Sequence, residues 1–102
     1  MAVAKLAQLF PGAVPVQIPV QVIAVRPSGA KVEEDTLIEF RTSVEILFAS
    51  ALPIEFEDKL RVKNSDGSLE ADATVVAVQY SEGCKTVAAR FSSETNNWIA
   101  KT

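Results

Sequence analysis

Val14-Pro15-Val16-Gln17-Ile18-Pro19-Val20-Gln21-Val22-Ile23-Ala24 carries an apolar residue at every even position and a glutamine at two of the odd ones. A period of two describes a strand with one buried and one wetter face. Pro15 and Pro19 exclude a helix, since each removes an amide donor and clashes with the preceding turn. The two prolines share a parity, so both missing N–H groups fall on the same edge of the strand. That edge cannot be ladder-paired over the first half, and the strand is expected to begin open on one side. Arg26-Pro27-Ser28-Gly29 then reads as a turn.

Beyond the acidic run Glu33, Glu34 and Asp35, read as a solvated loop, an even stripe resumes at Thr36, Ile38, Phe40, Thr42, Val44, Ile46 and Phe48. A stripe this long exceeds the usual strand of about five or six residues, which favours two segments or one strongly curved strand. Leu52-Pro53-Ile54 and Phe56 follow as an apolar connection. Phe40, Phe48, Phe56 and Phe91 all take core parity.

The turn Asn64-Ser65-Asp66-Gly67 joins the next two strands, with Gly67 suited to positive φ. Closing the hairpin tightly around it pairs Lys63 with Ser68, Arg61 with Glu70 and Lys59 with Asp72. The same register sets Leu60 beside Ala71 and Val62 beside Leu69 on the buried face. In the following hairpin, Ser81-Glu82-Gly83 reads as a three-residue loop with Gly83 left-handed, aligning Ala77 with Val87, Val75 with Ala89 and Ala73 with Phe91. Val76, Val78 and Tyr80 make the second face of the strand Leu69 to Tyr80 apolar too, so something must cover it. Three covers fit: the tail Ser93 to Thr102, with Trp98 and Ile99 and a short helix capped by Ser92 or Ser93; the N-terminal stripe Val3, Leu6 and Phe10; or a second subunit.

About six strands joined mostly by hairpins make an all-β antiparallel barrel or sandwich. The 102 residues hold one domain with one core, residues 1–13 and 92–102 being terminal extensions. Ten Lys and Arg against thirteen Asp and Glu give a formal charge of −3, which argues against sequence-independent binding of nucleic acid or acidic lipid. The row Lys59, Arg61 and Lys63 has no aromatic platform between its cations and reads as a solvated strand face. Histidine is absent, so neither a His-based metal site nor a His general base can form, and Cys84 has no evident base to activate it. No catalytic residue, cofactor or metal is expected. A lone cysteine and the lack of a membrane-spanning or secretory stretch point to the cytoplasm.

The order of these parts resembles the PilZ family, small six-stranded barrels that in bacteria usually sense cyclic di-GMP. The matching parts are the Pro/Val-rich first strand, the long stripe after it and the segment Leu52-Pro53-Ile54-Glu55-Phe56-Glu57-Asp58-Lys59-Leu60-Arg61-Val62. The long strand through Val75-Val76-Ala77-Val78 and the close Val87-Ala88-Ala89-Arg90-Phe91 complete the likeness, over roughly residues 14–91. The resemblance implies a six-stranded barrel and a signalling role. The family's ligand residues are missing. No arginine precedes Arg26, where the family has an Arg-x-x-x-Arg pair that clasps phosphate and stacks on guanine. In place of its Asp/Asn-x-Ser-x-x-Gly motif stands Phe40-Arg41-Thr42-Ser43-Val44-Glu45, with a phenyl ring for the acceptor, a carboxylate for the glycine, and only Thr42 keeping a hydroxyl.

Cyclic di-GMP is a dianion, and losing the cations while gaining Glu45 makes the local field unfavourable. The expected function is a non-catalytic signalling or regulatory module acting through contacts with a protein partner or further copies of itself, with cyclic di-GMP binding weak or absent. The expected contact surface is Val76, Val78, Tyr80 and Trp98. The alternative is a cyclic di-GMP receptor using Arg26, Arg41 or Arg90 in place of the absent pair.

Overall fold

The computed structural model describes residues 2–25, 28–67, 70–81 and 83–92. A short helix, α1 (Ala2–Ala7), precedes six strands: β1 (Val14–Val25), β2 (Lys31–Arg41), β3 (Glu45–Ser50), β4 (Lys59–Asn64), β5 (Glu70–Ser81) and β6 (Cys84–Phe91). They close into a barrel in the order β1-β2-β3-β6-β5-β4, with every neighbouring pair antiparallel. Closure decides for the barrel over the sandwich.

The prolines do keep one edge of β1 open. β1 pairs with β2 from Val14 to Val25 but with β4 only from Val20 to Ala24, so the stretch containing Pro15 and Pro19 lies outside the β4 ladder. Val20, Val22 and Ala24 are buried, with Val16 and Ile18 packed beside them. The long even stripe divides into β2 and β3 around the corner Thr42–Val44. The acidic run is not a loop: Glu33, Glu34 and Asp35 lie within β2, which pairs with β1 along nearly its whole length. Glu34 is held there because its carboxylate accepts hydrogen bonds from the Ser50 hydroxyl (2.8 Å) and the Ala51 amide (2.9 Å).

The β4–β5 register differs from the sequence reading by two residues. Lys63 faces Glu70, Arg61 faces Asp72, Leu60 faces Ala73 and Val62 faces Ala71, while Lys59 faces Thr74. A two-residue shift leaves every side chain on its expected face. It also keeps opposite charges adjacent, with Arg61 Nε 3.1 Å from Asp72 and Lys63 Nζ 4.0 Å from Glu70. The shift sets two alanines opposite Leu60 and Val62, and a narrow barrel is filled best when small residues face large ones. Leu69 and Ser68, the partners expected for Val62 and Lys63, lie outside the described residues.

In the last hairpin Ala73 faces Phe91 and Val75 faces Ala89 as expected, but a bulge follows, and Ala77 faces Ala88 rather than Val87. The loop shortens to two residues between Ser81 and Cys84, with Gly83 left-handed at φ 76°. The extra residue, Val76, turns the strand over. Val75 and Val78 face the barrel interior, while Val76 and Ala77 face outward. A second bulge at Glu39 does the same to β2, so that Ile38 faces inward opposite Phe48 and Phe40 faces outward opposite Leu47.

Two apolar clusters result. The barrel interior holds Val22, Ile38, Ile46, Phe48, Ile54, Val62, Val75 and Val87, all fully buried. The outer cluster lies under α1, where Val3 and Leu6 pack on Leu47 and Ala88, with Phe40, Val76 and Ala77 around them. The alanines 49, 77 and 88 leave a shallow seat that lets the helix backbone approach the sheet. Of the three covers weighed for β5, the N-terminal stripe packs beside Val76 and Ala77, and the tail Ser93 to Thr102 lies outside the described residues. The terminal helix is thus at the N-terminus, and the C-terminal helix expected after Ser92 falls outside the described residues. Phe56 does not join the core. Pro53 breaks the alternation and the connection crosses the end of the barrel, sending Ile54 inward at 0% exposure and leaving Phe56 62% exposed.

Candidate functional site

The corner between β2 and β3, within the stretch Phe40 to Glu45 compared above with the PilZ guanine-binding motif, is built from Thr42, Ser43, Val44 and Glu45. The Thr42 amide donates to the Glu45 carbonyl oxygen at 2.9 Å, closing the turn between β2 and β3. The Thr42 hydroxyl oxygen accepts from the amides of Glu45 (2.9 Å) and Val44 (3.2 Å) and donates to Glu45 Oε1 (2.9 Å). Glu45 Oε2 accepts from Arg90 Nη2 at 2.7 Å, across the register pair that joins β3 to β6. Both Thr42 and Glu45 are buried. A threonine at such a corner substitutes its side chain for backbone partners the turn cannot offer, and the glutamate completes the set.

This arrangement changes the meaning of the motif positions. Glu45 does not project a bare negative field, because Arg90 compensates it. The hydroxyl that the sequence left available for a ligand is engaged in three internal hydrogen bonds. The space a glycine would leave open is occupied by a buried carboxylate, and Phe40 is taken up by the helix seat. Glu45→Ala is expected to cost about 1–2 kcal/mol, mostly because the buried Thr42 hydroxyl loses the acceptor for its proton, since the ion pair to the 57%-exposed Arg90 is largely screened by water. Urea denaturation checks this.

Of the three arginines proposed as substitutes, Arg90 is bound to Glu45, and Arg26 lies outside the described residues. Arg41 faces Ile46 on β3, next to the Glu45–Arg90 pair, so Arg41 and Arg90 flank the same stretch of β3 from opposite sides. Arg41 is half-buried, and its Nε is buried without a hydrogen-bond partner among the described residues.

The residues expected to form a contact surface are separated by the bulge at Val76. Val76 packs under α1 and Val78 against the barrel interior; Tyr80 is 66% exposed, and Trp98 lies outside the described residues. Tyr80 instead belongs to a feature the sequence reading missed. Lys85, directly opposite it, places its ammonium 5.8 Å from the ring centroid and donates to the carbonyl oxygens of Leu52 and Ile54, the latter at 3.2 Å. Lys85 thereby ties the connection across the barrel's end to the last hairpin. Only its alignment with Tyr80 could have been read from the chain; its carbonyl partners are more than thirty residues away.

Cys84 is a free, half-buried thiol. Among the described residues no group of three or more His, Cys, Asp or Glu side chains is placed to hold a metal ion. Nor is any helix among them long and apolar enough to cross a membrane.

No family model matches the chain, and no curated protein matches it. Solved structures do, among them the Bacillus subtilis inhibitor of motility, MotI/DgrA, at 15% sequence identity and a TM-score of 0.61. That match covers 79% of this chain and 41% of the neighbour, so it spans less than half the neighbour's length. At such low identity the likeness is one of fold alone, a closed six-stranded antiparallel barrel.

Proposed function

We propose that this protein is a non-catalytic PilZ-like regulatory module of the cytoplasm that acts through protein contacts and binds cyclic di-GMP weakly or not at all. The observation that carries the reading is the corner Thr42–Glu45, whose hydroxyl and carboxylate are saturated by one another, by backbone amides and by Arg90. A ligand entering there would have to break those bonds before making its own, and the missing N-terminal arginines leave little to offset the loss. The fold of a protein named as an inhibitor of motility supports a regulatory role.

Isothermal titration with cyclic di-GMP tests this. No heat is expected up to about 1 mM ligand, which places any affinity weaker than about −4 kcal/mol. Micromolar binding would overturn the reading. The unpartnered Nε of Arg41 favours one competing reading, a receptor built on Arg41, with Arg26 and Arg90 assisting. Micromolar binding abolished by Arg41→Ala would establish it.

A further inference from the structure

Two neighbouring surfaces on this barrel are complementary to each other. The first is the loop before β4, where Glu55, Phe56 and Glu57 are consecutive and exposed. The loop is firmly held. The Glu57 amide donates to the Val75 carbonyl (2.9 Å), the Val75 amide to that of Asp58 (2.9 Å), and the Glu55 amide to the Asp58 carboxylate (2.9 Å). Ile54, two residues before Phe56, is sunk in the barrel. Phe56 is therefore an exposed aromatic on a preorganised mount, which loses little freedom on docking.

The second surface is a groove of about 550 Å³ with Ile23, Val25 and Leu60 among its apolar walls. Lys31, Lys59, Arg61 and Lys63 line it with Asp72; Arg61 pairs with Asp72 and Glu70 and Lys63 with Glu70, which leaves Lys31 and Lys59 without a paired carboxylate among the described residues. Among the described residues Lys59 meets the neutral hydroxyl of Thr74 (3.0 Å), a bond that does not compensate its charge. One surface is a phenyl ring between carboxylates, and the other is an apolar recess rimmed by cations.

We infer that the partner is a second copy of this chain, with Phe56 of each protomer seated in the other's groove and Glu55 and Glu57 facing the Lys31, Lys59 and Arg61 rim. Phe56 is three residues from Lys59, so the two surfaces lie within about 11 Å along the chain. A two-fold axis beside them exchanges loop for groove twice and closes the assembly at two. Each exchange removes an exposed ring from water and neutralises a charge imbalance. The inference rests on the reading of a module that works by protein contact, but its test is separate: a monomer would overturn the dimer alone, and cyclic di-GMP binding would overturn only that reading.

Sedimentation equilibrium of the full chain from about 10 µM to about 1 mM is the experiment. The mean mass should rise with concentration from the 11.0 kDa of one chain towards twice that, and the rise should weaken in high salt. Phe56→Ser should raise the dissociation constant at least about tenfold without lowering the melting temperature. Lys59→Glu and Glu57→Lys should each weaken association alone, whereas their equimolar mixture should recover it, since both contacts in the mixed dimer again join opposite charges. A monomer throughout the range would overturn the inference, as would a dimer indifferent to Phe56 and to the charge exchange. A monomer that dimerises only as the Trp98→Ala variant would assign the groove to the chain's own C-terminal segment and overturn it equally.

Discussion

Truncating Phe48 to alanine is expected to cost about 3–5 kcal/mol, the largest loss from any single substitution considered for this fold. Phe48 is fully buried in the barrel interior, in one cluster with Val22, Ile38, Val62, Val75 and Val87. A closed barrel cannot collapse onto the vacated space, because each strand is hydrogen-bonded to two neighbours and their spacing is set by the ladders. The lost transfer energy and the cavity therefore add. A domain of this size has about 5–15 kcal/mol in total, so the variant should melt at least about 15 °C lower and approach unfolding at ordinary temperatures. Thermal denaturation followed by circular dichroism would show it. A loss below about 1 kcal/mol would mean that the interior is not packed around this ring.

Leu6→Asp should have the second largest effect, and of a different kind. Leu6 is 1% exposed and joins α1 to Leu47 and Ala88 on the outer face of the barrel. A helix of six residues has no stability of its own in water, so its order depends on this contact. A carboxylate there cannot stay buried without a partner, and the helix should leave the sheet rather than accept it. The cost is limited to the docking energy, about 2–4 kcal/mol from the burial of Leu6 and Val3. The barrel stays closed, because its own interior is untouched. What changes is the surface: Leu47, Phe40 and Val76 become accessible, and the protein should bind a hydrophobic dye and lose amide protection in β3 and β6. Unchanged dye binding and stability would mean that α1 does not cover this face.

These two substitutions separate the faces that the sequence had merged. Ile38 and Phe40 share a parity, as do Phe40 and Phe48, and nothing local distinguishes them. Yet Phe40 belongs with Leu6, and Phe48 with Ile38. The bulge at Glu39 makes the difference, and the one at Val76 does the same for Val76 and Val78. Together they turn Phe40 and Ala77 to the side of α1 beside Val76, so the seat for the helix is a product of two irregularities on strands far apart in the chain. The candidate site shows the same division. That Thr42 and Glu45 lie three residues apart within the span of the long stripe was legible in the residues themselves. That they bond to each other and to Arg90 was not, because the Glu45–Arg90 contact spans forty-five positions.

Read alone, the sequence determined which residues alternate, which edge of β1 the prolines keep out of the ladder, and that Gly83 takes a left-handed turn. Each of these follows from chemistry within a few residues: a side-chain period, a missing donor, a missing Cβ. The tertiary structure alone decided the two-residue offset between β4 and β5, the bulges at Glu39 and Val76, and the placement of α1 over β3 and β6. An offset of two preserves both the faces and the charge pairing, so no local pattern can detect it, and a bulge is tolerated only where closing the barrel needs the extra residue. Those choices belong to the ring of six strands as a whole, whose last ladder, β1 to β4, must meet in register.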